Sequence, residues 1–177
     1  MTGQVVRNMR LLPQPIIAAV NGAAAGAGAV LALACDLRVM AEGAKFAFLF
    51  TRVGLTGADM GAAYLLPRAV GAARAMELLL LGDDLDAAAA ERMGLVNRVV
   101  PAHRVLPTAL EWASRLARGP SLALGMTKRL VNDEWNMDLI ASLESEAQAQ
   151  ALMMMGDDHR AFYEAFTEKR APEFTGR

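Results

Sequence analysis

The chain has 177 residues, of which 54% are hydrophobic and only 6% aromatic, and its formal net charge is −1. This length fits one domain of ordinary size, with a core built from Ala, Leu, Val and Met. Nucleic-acid binding needs clustered Lys and Arg, and neither half of the chain carries a basic stripe, so the composition argues against nucleic acid as a partner.

In the first part of the chain, short apolar runs alternate with helical segments. Residues 2–11 predict a short helix, which Pro13 and Pro15 end. Strands are predicted at 16–20, 36–41 and 45–48, and a small-residue loop at 23–28 leads into a helix at 28–34. This alternation, with its short connections, predicts an α/β fold.

From Asp59 onward the chain is predicted to be largely helical. Gly71 and Gly82 stand where helices stop. The predicted helices are 61–70, 72–81, 86–93, 103–118, 121–134, 137–155 and 157–169, with one more strand at 96–100. We therefore expect a core over residues 1–101 and a helical extension over 102–177. The extension holds more apolar side chains than a short α/β half can cover, so its helices either bury one another or pack on a second subunit.

The sequence favours a cytoplasmic protein. Cys35 is the single cysteine and lies in an apolar run, which predicts a buried, inert thiol. The N-terminal segment MTGQVVRNMRLLPQP has no long apolar region followed by a cleavage site. The longest apolar stretch, 16–34, is interrupted by Asn21 and several glycines, which predicts strand, loop and helix rather than a membrane span.

A loop of small residues, 21–28, stands between a predicted buried strand and a predicted helix. Its sequence, NGAAAGAG, allows a ligand to approach the main chain. The N-terminus of a helix has free N–H donors and a partial positive charge, which can stabilise an anion or a developing oxyanion. Loops of this kind also occur simply where a helix packs on a strand.

Three longer segments carry a family resemblance. The first reads PQPIIAAVNGAAAGAGAVLALACDLRVMAEGAKF, and the second reads GLTGADMGAAYLLPRAVGAARAMELLLLGDDLDAAAAERMGLVNRVVP. The third comprises ALGMTKRLVNDEW and DDHRAFYEAFTEKRAPEFTGR. In this order they resemble the crotonase (enoyl-CoA hydratase/isomerase) superfamily over nearly the whole chain.

The resemblance implies a spiral of ββα units followed by C-terminal helices that drive assembly into trimers, often paired as hexamers. It implies an acyl-CoA thioester as substrate, a role in fatty-acid metabolism, and no separate cofactor. It also implies that roughly the first third of the family fold has no counterpart in these residues. That part would supply one of the two amides that hold the thioester carbonyl.

By the same resemblance, the other amide belongs to Ala27, with Gly26 and Gly28 lining the thioester beside it. Val30 and Phe50 stand where the family's hydratases carry two glutamates. Hydration needs one group to activate water and another to deliver a proton, and neither side chain can do so. The resemblance therefore implies a pocket lined by Val30 and Phe50 that lacks the hydratase acids.

Asp59 is the candidate acid–base residue. In the first 82 residues the carboxylates are Asp36, Glu42, Asp59 and Glu77, and the other three fit a strand start, a polar turn and a helix surface. Asp59 resembles an aspartate with a functional role in family members that isomerise dienoyl-CoA or dehalogenate aryl-CoA thioesters. It could act as a base or as a nucleophile. Alternatively, it caps a helix that starts near Met60, which would contribute about 1 kcal/mol.

Two residues near the C-terminus and two histidines are further candidates for binding roles. Phe166 and Lys169 match family positions that contact the adenine and phosphate end of coenzyme A; alternatively, an amphipathic helix places Phe166 inside and Lys169 outside. His103 and His159 are predicted at solvated helix starts, and their spacing to other ligands predicts no metal site. The sequence thus favours an acyl-CoA enzyme of the isomerase type over a hydratase. The alternative is a catalytically inactive acyl-CoA-binding or scaffold subunit of the same fold.

Overall fold

The computed structural model describes residues 2–177, which form two compact units. The first unit contains the chain up to Arg10 and Ile16–Glu111, and the second contains Leu11–Pro15 and Trp112–Arg177. Helix α1 (Thr2–Leu11) ends at the first boundary, and helix α6 (Val105–Ala117) passes through the last one.

The first unit contains two three-stranded sheets. One consists of β1 (Ile17–Val20), β3 (Leu37–Ala41) and β6 (Arg98–Val100), all parallel, in the order β1-β3-β6. The other has the order β2-β4-β5, formed by β2 (Ala24–Ala25), β4 (Lys45–Ala47) and β5 (Asp84–Asp86). In it β2 runs parallel and β5 antiparallel to β4. The central strands β3 and β4 are buried over most of their length, as expected for strands covered by helices.

Four further helices belong to the first unit: α2 (Ala27–Ala34), α3 (Ala62–Val70), α4 (Ala72–Leu81) and α5 (Ala87–Arg92). Short 3₁₀ turns lie at Thr51–Val53 and Ala102–Arg104. The core contains the fully buried side chains of Val30, Val39, Met40, Phe46, Phe48, Leu66 and Leu95. The rings of Phe46 and Phe48 stack with centroids 6.3 Å apart. Helix α2 contacts both β2 and α3 in this unit.

The second unit is largely helical. It contains α7 (Ser121–Asp133), α8 (Leu139–Met154) and α9 (Asp157–Thr167), with a 3₁₀ turn at Glu134–Asn136. The buried carboxylate of Asp158, in the first turn of α9, accepts hydrogen bonds from the amides of Thr175 (2.6 Å) and Gly176 (3.0 Å). These bonds fix the C-terminal segment to α9.

The local patterns predicted most elements to within a few residues, and the α/β character is confirmed. Glycines end α3 and α4 as expected, with Gly71 and Gly82 at their C-caps. The strands β2 and β5 were missed, because each is only two or three residues long and forms by pairing with β4. Cys35 is buried, as predicted.

Candidate functional site

The first part of the site is the segment 21–28, which we call the amide loop. Gly26 is the N-cap of α2 and has φ 52° and ψ −120°, a conformation that a residue with a Cβ rarely adopts. Its own N–H donates to Ala47 O at 2.8 Å, which joins the loop to β4. The amides of Ala27 and Gly28, by contrast, have no acceptor within residues 2–177, and both residues are exposed. These two donors are therefore available to an anionic or strongly polarised oxygen.

The opposite end of α2 is held by a half-buried arginine, Arg38. The Arg38 guanidinium donates from Nη1 to the carbonyl of Leu33 at 3.0 Å and also to that of Cys35, and from Nε to Leu95 O. Burial is the main cause that lowers the pKa of Arg38 from its ordinary value. A cation at the C-terminus of a helix interacts favourably with the helix dipole. The helix that presents the free amides is therefore anchored at its far end.

Val30 and Phe50 lie in the interior of the first unit. Val30 has 0% of its surface exposed, and Phe50 has 7%. Val30 is on the buried side of α2, and Phe50 directly precedes the 3₁₀ turn Thr51–Val53. Neither position offers a group that could transfer a proton.

Asp59 belongs to the second part of the site, the segment 54–61, which we call the carboxylate loop. The residue is exposed, and its Oδ1 accepts the N–H of Met60 at 2.8 Å. The alternative that Asp59 is the N-cap of the next helix is wrong: α3 begins at Ala62, and its N-cap is Gly61. The aspartate contributes only its backbone carbonyl to that end, accepting from Ala62 N at 2.8 Å.

The other early carboxylates have structural partners or face solvent. Asp36 accepts the N–H of Ile16 at 2.7 Å and pairs with Arg10 at 3.5 Å. Glu77 pairs with Arg74 along α4 at 2.8 Å, and Glu42 is exposed in a turn. Within residues 2–177, Asp59 has no ion pair. Of the four early carboxylates, Asp59 is the one that lies on a glycine-rich loop. This loop leads into α3, and α3 contacts α2.

The carboxylate loop packs tightly on α4. A Cβ on Gly57 would lie 2.7 Å from Leu79 O, so only glycine allows this approach. Just before the loop, the hydroxyl of Thr51 donates to Leu80 O at 3.0 Å. The sequence marked these residues as loop but gave no signal of the contact, because Gly57 and Leu79 are far apart along the chain.

Phe166 and Lys169 lie at the end of α9 in the second unit. Phe166 is 70% exposed and stacks on Phe162, with ring centroids 6.1 Å apart. The interpretation that placed Phe166 inside an amphipathic helix is therefore wrong for this chain. Lys169 has a left-handed backbone (φ 55°), and its N–H donates to Phe166 O at 3.3 Å. Both side chains are thus displayed at the surface of the second unit.

The second unit also contains an open, largely apolar groove of about 820 Å³. It is lined mainly by α7, α8 and α9, including Met126, Leu130, Leu143, Met153 and Phe162. The predicted extension thus leaves apolar surface uncovered within its own unit.

The two histidines predicted to be solvated, His103 and His159, are exposed. No group of three or more His, Cys, Asp or Glu side chains that could hold a metal ion occurs in the described part of the chain. Among residues 2–177, no helix is both long and apolar enough to cross a membrane.

Residues 3–177 match the family model described as enoyl-CoA hydratase/isomerase. The chain belongs to the enoyl-CoA hydratase/isomerase family. This result confirms the resemblance to the crotonase superfamily that the sequence segments indicated. The mixed α/β architecture of the two sheets and their helices is shared with solved structures of this family.

Individual family members agree with this assignment. The 1,2-epoxyphenylacetyl-CoA isomerase of Escherichia coli (strain K12) is 42% identical over 173 residues, which cover 98% of this chain and 66% of that protein. A crystal structure from Streptomyces coelicolor A3(2), provisionally named an enoyl-CoA hydratase, has a TM-score of 0.98 at 55% identity. An enoyl-CoA hydratase from Bacillus anthracis has a TM-score of 0.95 at 35% identity.

The family members are longer than this chain. The match covers 99% of this chain but 64% of the Streptomyces protein and 68% of the Bacillus protein. The chain thus spans about two thirds of the length of these relatives.

Proposed function

We propose that the chain binds an acyl-CoA thioester and isomerises the acyl group by moving a proton and a double bond. The observation that carries this proposal is the pair of free amides on Ala27 and Gly28 at the N-terminus of α2. Hydrogen-bond donors aimed at a developing oxyanion, in a fixed arrangement, are worth roughly 10²–10³ in turnover per donor. The Ala27 N–H is the donor to the thioester oxygen.

Asp59 supplies the base in this proposal. Its carboxylate takes a proton from a carbon of the acyl chain, and the C–H electrons move toward the thioester carbonyl as an enolate, whose oxygen the Ala27 N–H stabilises. The protonated Asp59 then returns the proton to a different carbon, and the double bond is left in its new place. One proton and one double bond change position, so the step requires no water and no co-reactant. The Asp59 carboxylate, which forms no ion pair among residues 2–177, is available for this role.

The matching protein from Escherichia coli is named an isomerase, whereas others of similar identity are named probable enoyl-CoA hydratases. Val30 and Phe50 favour the first of these reactions. Water addition requires an acid and a base at the substrate, and both of these positions hold buried apolar side chains.

A second candidate is an acyl-CoA-binding subunit without turnover. Val30 and Phe50 favour this candidate, because neither side chain can transfer a proton. Asp59 is then the single acid–base group of the proposed isomerisation. Both candidates share the amide loop, and they differ in whether a substrate is converted.

The apolar groove and the exposed side chains of the second unit support a further part of the proposal, assembly into a homotrimer. Leu139 is 72% exposed, Met155 76% and Phe166 70%, which is unusual for large apolar residues that face only water. In light scattering we expect three times, or for paired trimers six times, the chain mass of 18.9 kDa. A monomer at micromolar concentration would contradict this part alone.

Substitution of Asp59 by Asn tests the proposed reaction. The amide side chain keeps the shape but cannot accept a proton, so we expect turnover of enoyl- and dienoyl-CoA thioesters to fall by about 10²–10⁴-fold. Acyl-CoA affinity, measured by calorimetry, should stay near that of the wild type. Unchanged turnover would remove Asp59 from the mechanism, and absent turnover in the wild type with retained binding would favour the non-catalytic candidate.

A further inference from the structure

Met60 has an unusual backbone conformation. Its φ is 51°, and among the non-glycine residues of 2–177 only Lys169 shares this left-handed region. A non-glycine residue held there costs about 1–3 kcal/mol, and such residues are often found where strain is part of a functional arrangement. Methionine also lacks the short polar side chain with which Asn and Asp tolerate this conformation.

Met60 is also buried. Although it belongs to an otherwise mostly exposed loop, the Met60 side chain is only 8% exposed. Gly57, three residues earlier, is fixed against Leu79 of α4. On the N-terminal side of Asp59 the carboxylate loop thus packs on α4 through Gly57, and on the C-terminal side the next residue, Met60, is buried.

The peptide that joins Asp59 to Met60 also binds the Asp59 carboxylate. The Met60 N–H donates to Asp59 Oδ1 at 2.8 Å, a hydrogen bond to a charged acceptor. The backbone carbonyl of Asp59 in turn accepts the N–H of Ala62, the first residue of α3. Within residues 2–177, Asp59 Oδ2 has no hydrogen-bond partner. One carboxylate oxygen is thus occupied, and the other is left for a reacting group.

We propose that Met60 is a positioning residue: its left-handed backbone sets the orientation of the Asp59–Met60 peptide relative to α3, and its N–H occupies Asp59 Oδ1 and so selects Oδ2 as the oxygen that moves the proton. This inference rests on the proposed isomerisation and adds a residue to it. Met60 does not contact the substrate in this arrangement; it acts through Asp59. Its backbone angle orients the Asp59–Met60 peptide, with its N–H, relative to α3, and the burial of its side chain contributes to the stability of the fold.

Three substitutions separate the backbone angle from the buried side chain. Met60→Leu keeps an unbranched Cβ and a similar volume, and we expect turnover like that of the wild type. Met60→Val introduces a β-branched residue that is a genuine outlier at positive φ. We expect kcat to fall by about 10²-fold because misplacement of a reacting group has costs of this size, while KM and acyl-CoA affinity stay unchanged. Met60→Gly adopts positive φ freely; it should melt at a lower temperature yet keep most of the wild-type kcat.

If Met60 acts through its backbone angle, kcat across the three variants follows how readily the residue at position 60 adopts positive φ. The melting temperature follows the volume of the buried side chain at that position. A purely structural role of Met60 predicts that kcat falls with melting temperature across the series, and that result would overturn the inference. If Met60→Val does not fold, Met60→Gly alone still decides, since a loss of kcat there contradicts a role of the backbone angle.

A measurement without turnover tests the geometry itself. In NMR spectra the residue-60 amide proton should resonate downfield in the wild type and in Met60→Gly, and move upfield in Asp59→Ala, which lacks the acceptor. An amide that does not respond to Asp59→Ala overturns the inference. The two proposals fail separately. Full turnover of Asp59→Asn removes the proposed reaction, whereas loss of turnover in Asp59→Asn together with wild-type kcat in Met60→Val removes only the role of Met60.

Discussion

The amide loop and the carboxylate loop both contain glycines and both lead into a helix of the first unit, but they are built in opposite ways. In the amide loop, Gly26 has its N–H bound to Ala47 O, and the next two amides are left free. In the carboxylate loop, the side chain of Asp59 occupies the neighbouring amide of Met60. One loop offers donors without an acid, and the other offers an acid that already binds the amide of the next residue. A glycine-rich loop before a helix therefore does not define a function. What such a loop can bind depends on which of its amides already have an acceptor.

We expect that a carboxylate is not tolerated on the buried side of α2, the helix that follows the amide loop. Val30 is fully buried, and Val30→Glu would place an unpaired charge in the core. We expect a loss of roughly 3–5 kcal/mol in the free energy of unfolding, measured by urea denaturation, and no gain of enoyl-CoA hydration. Val30→Thr, which keeps the shape without a charge, should cost only about 1–3 kcal/mol. A stable Val30→Glu variant that hydrates enoyl-CoA would show that the amide loop accepts an acid after all.

A smaller effect is expected in the carboxylate loop. Gly57→Ala would bring a Cβ to 2.7 Å from Leu79 O, so the loop must move away from α4. We expect a loss of about 1–3 kcal/mol in stability, as for other overpacked sites, together with a fall in kcat as Asp59 shifts. Gly43→Ala is the matched control, because a Cβ there meets no atom within 4 Å. Equal kcat in the two variants would show that the aim of Asp59 does not depend on this contact.

The sequence predicted what depends on neighbours along the chain. The helices α3 and α4 follow from apolar spacing and from the glycines that end them, and strand β1 follows from its apolar run between Pro15 and Asn21. The prediction that this strand is buried is wrong for most of it, since Val20 is buried but Ala19 is exposed. The family segments placed Ala27 at a helix N-terminus, and the structure has it as the first residue of α2.

What the sequence did not predict depends on contacts between distant residues or on single backbone angles. Strand β5 exists through its pairing with β4, about 40 residues earlier in the chain. The N-cap assignment of Asp59 failed because α3 starts at Ala62, after two residues with positive φ. No sequence pattern marks a methionine for the left-handed region, so the bond between Met60 and Asp59 was visible only in the structure.

The central claim is that the Ala27 amide donates to a thioester oxygen, and one substitution removes that donor alone. Proline is well tolerated at the first position of a helix, because the N–H there has no partner within the helix. Ala27 holds that position in α2, as Ala72 does in α4, and each follows a glycine N-cap. Ala72→Pro is therefore the matched control.

The measurement is the turnover of enoyl- and dienoyl-CoA thioesters by the two proline variants, after circular dichroism has shown that both are folded. We expect Ala72→Pro to react like the wild type, and Ala27→Pro to lose about 10²–10³-fold in kcat, the usual effect of deleting one oxyanion donor. Wild-type turnover by a folded Ala27→Pro protein would contradict the claim.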